Sequence, residues 1–64
     1  IGGRAVIDPL VEAMKDNHPK IRFLAAWALG IQRNSRSKNE LRKAQVYEKN
    51  NYVLNKIKLS HQNI

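Results

Sequence analysis

The sequence predicts an all-α chain: an antiparallel helical hairpin with one or two further helices behind it. Three observations carry this. Apolar residues recur at helical spacing, first as Val6, Pro9, Leu10, Ala13 and Met14 and then as Ile21, Leu24, Ala25, Ala28 and Leu29. Asp16, Asn17, His18 and Pro19 separate the two runs with turn-forming residues. The small residues Ala25, Ala26 and Ala28 keep helix propensity high while letting another helix backbone come close.

Taken in order, Gly2 and Gly3 favour a loop, and Asp8 and Glu12 place negative charge in the first half of the first helix, where the helix dipole is best complemented. Pro9 is easily accommodated only in a first turn, so this helix is expected to start near Asp8 or to bend there after a looser turn from Arg4. Pro19 suits the first position of a second helix, predicted from Pro19 to about Ile31 with Gly30 as its C-terminal breaker. From Arg33 to Lys38 the chain is polar and serine-containing and reads as a linker. Leu41, Ala44 and Tyr47 then predict a helix from about Lys38 to Lys49. Asn50 and Asn51 interrupt it, and Tyr52, Val53, Leu54 and Ile57 predict a second stretch, or a bent continuation, from about Tyr52 to Leu59. Ser60 to Ile64 are expected to fray. The chain so divides into a helical repeat over 1–32 and a basic, Asn- and Lys-rich helical segment over 33–64.

A chain of 64 residues buries only about 60 % of the surface its unfolded form exposes, so its stability leans on reinforcement. Without cysteine, disulfides and thiolate metal sites are excluded, and the composition fits a cytoplasmic protein. The longest nearly uninterrupted apolar stretch, Phe23 to Leu29, is far short of the roughly 20 residues a membrane helix needs, so no membrane partner is expected. Net charge is +7, from 12 basic and 5 acidic residues, which makes a polyanion one candidate partner. Most of that charge lies in the second half, where eight Lys and Arg face only Glu40 and Glu48.

Nothing in the pattern supports catalysis, a metal or a cofactor. His18 and His61 are isolated, and His18 reads as a solvated turn residue. Ser35, Ser37 and Ser60 lack a nucleophile elbow, and Gly2-Gly3 is too little for a phosphate loop. Asp8, Glu12 and Asp16 share a helical face at i, i+4 and i+8; a solvated outer face is favoured over a cation site.

The run AVIDPLVEAMKDNHPKIRFLAAWALG resembles a HEAT-like repeat of the type found in phycobilin lyase subunits. The likeness rests on an apolar helix, Asp16, a short turn with Pro19, the Ile21-Arg22 pair, and Ala25, Ala26, Trp27, Ala28, Leu29 and Gly30 in the second helix. It covers residues 4–32, with no second copy visible after Gln32. Ile1-Gly2 echoes Gly30-Ile31 and reads as the end of a preceding repeat, so that the chain begins inside a longer array. The resemblance implies an α-solenoid, with first helices outside and second helices lining the inner face. It further implies structural roles for Asp16 and Arg22: the carboxylate accepts hydrogen bonds near the start of the second helix, and the guanidinium reaches the Asp of this or an adjacent repeat. A di-iron branch of the family is disfavoured because its His-Glu pairs are missing here.

The expected function is a non-catalytic protein–protein interaction scaffold, or a fragment of a repeat array, whose partners are another protein, neighbouring repeats or a second copy. Trp27 is expected to pack between repeats, with an exposed partner-binding anchor as the competing reading; Arg22 is the other candidate contact. Five positions apart, these two point about 140° from each other on an ideal helix, which assigns them to different surfaces. A nucleic-acid-binding segment is the alternative, through Arg36, Arg42, Lys43 and Lys49 with Tyr47 and Tyr52 interleaved. A third reading makes the chain part of a phycobilin-lyase-like chaperone.

Overall fold

Two helical hairpins lie side by side and close one core between them. The computed structural model describes residues 4–64, with side chains from Ile7 onward; the Gly2-Gly3 loop, the Ile1-Gly2 echo and the contribution of the Val6 side chain fall outside it. Among the described residues the order is α1 (Arg4–Ala13), α2 (Pro19–Gln32), α3 (Ser35–Tyr47) and α4 (Asn51–Gln62).

Helix α1 runs through Pro9 without a break. The expected start near Asp8 is corrected, since the helix already runs from Arg4 and takes Pro9 into its interior at an exposed position. The turn that follows is built as its composition demands. Asp16 Oδ1 accepts from the His18 backbone N–H at 2.8 Å, His18 takes the N-cap position with extended backbone, and Pro19 opens α2.

Gly30 does not end α2. The helix continues to Gln32, and Arg33 adopts the left-handed conformation (φ 52°) that closes it. Gly30 is instead the point of closest approach to α4, where a Cβ would sit 2.8 Å from Ser60 Cβ and 3.1 Å from Ser60 Cα. The absence of a side chain lets the two backbones meet.

The linker expected over Arg33 to Lys38 is also corrected, because α3 begins at Ser35. Asn34 and Ser37 form a reciprocal capping box: Asn34 Oδ1 accepts from Ser37 N at 2.9 Å, and Ser37 Oγ accepts from Asn34 N at 3.3 Å. Polar residues that suggest a loop are here a helix start. Asn50 repeats the device with one oxygen, accepting from Tyr52 N at 2.9 Å and Val53 N at 3.1 Å. The expected fraying from Ser60 is replaced by helix to Gln62, held by burial of Ser60 against α2, by packing of Ile64 on the core, and by the Lys38 ammonium donating to the Ile64 carbonyl at 3.3 Å.

The core comprises Ile7, Ala26, Leu29, Leu41, Val53 and Ile57, drawn from all four helices. Each of its larger aliphatic side chains contributes roughly 1.5–3 kcal/mol by leaving water. The face that α2 buries is turned from the expected one: Ala25, Ala26, Leu29 and Gly30 are covered, while Ile21 and Leu24 stay exposed and Ala28 is half-buried. The cause is the position of α4, which approaches along the Ala26–Gly30 side.

Adding a methyl at Gly30 gains up to ~1 kcal/mol of helix propensity but overpacks the crossing, at a cost of about 1–3 kcal/mol. Gly30→Ala is expected to lower the urea midpoint and Gly30→Val to lower it further, with Ser60→Gly restoring much of the loss; an unchanged midpoint for Gly30→Val would refute the close crossing. Arg33→Gly removes a left-handed non-glycine residue and is expected to raise stability by about 0.5–1 kcal/mol in the same assay, whereas a fall would show that the Arg33 conformation carries no strain.

Candidate interaction surfaces

The two hairpins are tied at their turn ends by Arg22. Its Nε donates to Glu48 Oε1 at 2.8 Å and its Nη2 to Glu48 Oε2 at 3.1 Å, a two-point fork that fixes both planes. Nη1 donates to the Asp16 carbonyl at 2.7 Å and the Asn17 carbonyl at 3.1 Å. Glu48 Oε2 also accepts from Asn50 N at 3.1 Å, the same two-residue reach that Asp16 makes to His18. Glu48 stands 32 positions after Asp16, and Asn51 stands 32 after Pro19. That spacing is the signal of a second hairpin that the Asp-and-Pro pattern missed. The guanidinium meets the main-chain oxygen of Asp16 and the carboxylate of Glu48, and Arg22 is largely occupied inside the fold.

Trp27 lies elsewhere on α2. It is 52 % exposed, with the Lys56 ammonium 5.8 Å from its ring centre and 5.5 Å from that of Phe23. Phe23 stacks on Tyr52 with centroids 4.5 Å apart and planes 9° from parallel. Helices α2 and α4 thus present a ridge of Phe23, Trp27, Tyr52 and Lys56, flanked by exposed Leu24, Ile31 and Leu59. Trp27 and Arg22 are not brought together.

Of the four candidate polyanion-binding residues Arg36, Arg42, Lys43 and Lys49, Lys43 and Lys49 border one groove between α1 and α3. Arg36 pairs with Asp8 across the hairpins, Lys43 lies 3.7 Å from Glu40, and Arg42 reaches Asn39 Oδ1 at 3.5 Å. Arg42 sits about 100° round α3 from Lys43, and Lys49 lies exposed in the turn before α4. The acids of α1 and its turn diverge as well: Asp8 to Arg36, Glu12 to Lys15 at 3.6 Å, and Asp16 to the His18 backbone. Among the described residues no group of three or more His, Cys, Asp and Glu is placed to hold a metal. Of the remaining repeat positions, Pro19 opens α2, Ala25, Leu29 and Gly30 are buried, and Ala28 is half-covered.

Between α1 and α3 a groove of about 680 Å³ opens above Val11, Met14 and Ala44, bordered by the two interhelical turns.

Removing the Arg22 fork leaves Glu48, whose side chain is only 6 % exposed, with a single backbone donor. Arg22→Ala is expected to cost about 2 kcal/mol, and a double-mutant cycle with Glu48→Gln to return a coupling of about 1–2 kcal/mol in urea melts. Additive single effects would show that the pair does not hold the hairpins together.

The model of the family described as HEAT repeats matches residues 1–57, a span that crosses both hairpins and extends the repeat likeness beyond residues 4–32. No curated protein and no solved structure matches the chain significantly. The two stacked hairpins, the recurrent acidic turn and the family match agree, and the chain belongs to the HEAT repeat family.

Proposed function

We propose that the chain is a non-catalytic interaction segment of a HEAT-repeat scaffold and that its contact surface is the α2–α4 ridge. The observation that carries this is Trp27, half exposed, with the Lys56 ammonium over its ring beside the Phe23–Tyr52 stack. Aromatic side chains that are rigid before binding lose little freedom on contact, and tryptophan and tyrosine dominate interface energetics for that reason. Beside the ridge, Ile21, Leu24, Ala28 and Ile31 recur at steps of three, four and three along α2. This stripe suits another helix, supplied by a neighbouring repeat, a second copy or a separate protein. Pairing of Arg36 with Asp8 and Lys43 with Glu40 weakens the nucleic-acid reading, since part of the positive charge is already answered.

A photo-crosslinking phenylalanine analogue at Tyr52, whose side chain is already exposed, is expected to yield a discrete protein adduct in the native cell that disappears with Trp27→Ala. The same analogue at exposed Asn39 should yield none. Adducts that survive Trp27→Ala would sink the ridge assignment, and adducts destroyed by nuclease would transfer the function to nucleic acid.

A further inference from the structure

The two hairpins share a register, and it relates the outward faces of α2 and α4. Glu48 follows Asp16, and Asn51 follows Pro19, by 32 positions, so each α4 residue that touches α2 has a counterpart on α2 itself. Helix α4 meets α2 through Tyr52 against Phe23, Lys56 over Phe23 and Trp27, and Ser60 at Gly30. The counterparts are Lys20, Leu24 and Ala28. They share one side of α2 with Ile21 and Ile31, and Ile21, Leu24 and Ile31 are exposed. That side of α2 repeats, one hairpin earlier, the seat that α4 offers to α2, and it is uncovered among the described residues.

The onward sides differ. On α2 the side turned to α4 carries Phe23, Ala26, Trp27 and Gly30. The counterparts on α4 are Asn55, Lys58, Leu59 and Gln62, all exposed. Three of these are polar, the composition of a repeat face that stays in water. None is as small as Ala26 or Gly30, and covering the Lys58 ammonium and the Asn55 and Gln62 amides without partners would cost more than Leu59 returns.

We propose that the chain stacks in one direction only: the stripe of Ile21, Leu24, Ala28 and Ile31 seats the second helix of a further hairpin joined ahead of α1, and the outer face of α4 takes none. The seat specifies its occupant. Ala28 stands where Ser60 stands in α4, so the occupant brings a glycine or alanine opposite it, as α2 brings Gly30, with apolar or aromatic side chains one and two turns earlier. A second copy has no such face free, because its own α4 covers Phe23 and Gly30 and presents Asn55, Lys58 and Gln62 outward. The inference rests on the scaffold reading and names what covers the stripe, but it makes no use of Trp27 as an anchor.

The test extends the full chain at either end with its own hairpins. A copy of residues 4–34 in place of residues 1–3 sets a second Phe23, Ala26 and Gly30 face over the stripe, and a copy of residues 33–64 after Ile64 sets a second Tyr52, Lys56 and Ser60 face against Asn55, Lys58 and Gln62. In urea melts followed by circular dichroism, the N-terminal extension is expected to unfold in one transition with a higher midpoint and an m value raised roughly one and a half times, in proportion to the added buried surface. The C-terminal extension should leave the midpoint where it was. Leu24→Asp in the original hairpin should abolish the gain of the N-terminal extension while shifting the unextended chain little, since Leu24 is exposed there. Equal gains at both ends, no gain at the N-terminal end, a gain that survives Leu24→Asp, or an unextended chain that sediments as a dimer and is made monomeric by Leu24→Asp would each overturn the proposal. Crosslinking at Tyr52 reads the ridge alone, so failure of the ridge and failure of this seat are told apart.

Discussion

The close crossing of α2 and α4 is the constraint on which the arrangement depends. Helix α2 can meet α4 backbone to backbone because Gly30 has no side chain and Ser60 a small one. Eight residues earlier in α2, about 12 Å along the axis, Arg22 reaches Glu48 just ahead of α4. Two fastenings on one helix set both the spacing and the direction of the second hairpin. Between them the contacts run in register, Phe23 against Tyr52 and Trp27 against Lys56, ending at Gly30 against Ser60. The ridge is a by-product of this register: with the backbones so close, bulky side chains at the edge of the crossing have no space inside it.

Closeness on one side creates space on the other. Helices α1 and α3 contain no glycine, and the side chains of Val11, Met14 and Ala44 line the groove between them near the turns. The ion pair between Arg36 and Asp8 spans the same pair of helices nearer the start of α3. Exposed pairs of this kind contribute little to stability, so the weight of the assembly rests on the core and on the partly buried Arg22 fork.

Legibility in the sequence followed how directly each feature was encoded by residue type. The first hairpin was readable because Asp16 and Pro19 have few alternative uses at such spacing, and the helix they open is rich in Ala and Leu. The second hairpin was harder to see because its corresponding positions hold Glu48, Asn50 and Asn51, and because Ser37 and Ser60 fill core positions where an apolar residue would be sought. Asn34 and Ser37 suggested a loop when read as composition, and a capping box when read as a pair three apart. Gly30 was ambiguous in principle: a glycine near a helix end either stops the helix or admits a neighbour, and only the position of α4 decides. The same missing information explains why the buried face of α2 was turned from the expected one, and why Arg22 could be assigned a carboxylate partner by resemblance without the identity of Glu48. Neither the ridge nor the groove was visible as a surface, since each joins helices that are distant in sequence.

A core of this size explains why repeats of this kind stack. Ile7, Ala26, Leu29, Leu41, Val53 and Ile57 are sequestered, yet Ile21, Leu24 and Ile31 of α2 and Leu59 of α4 remain exposed. Each hairpin covers one flank of its neighbour and leaves its own other flank open, so burial rises with every added unit and is least for an isolated pair. The apolar surface left on α2 is the continuation of the interaction that already joins α2 to α4. On the proposed reading stability and binding are one property, because a helix laid over Leu24 and Ile31 would extend the core as much as it made a contact.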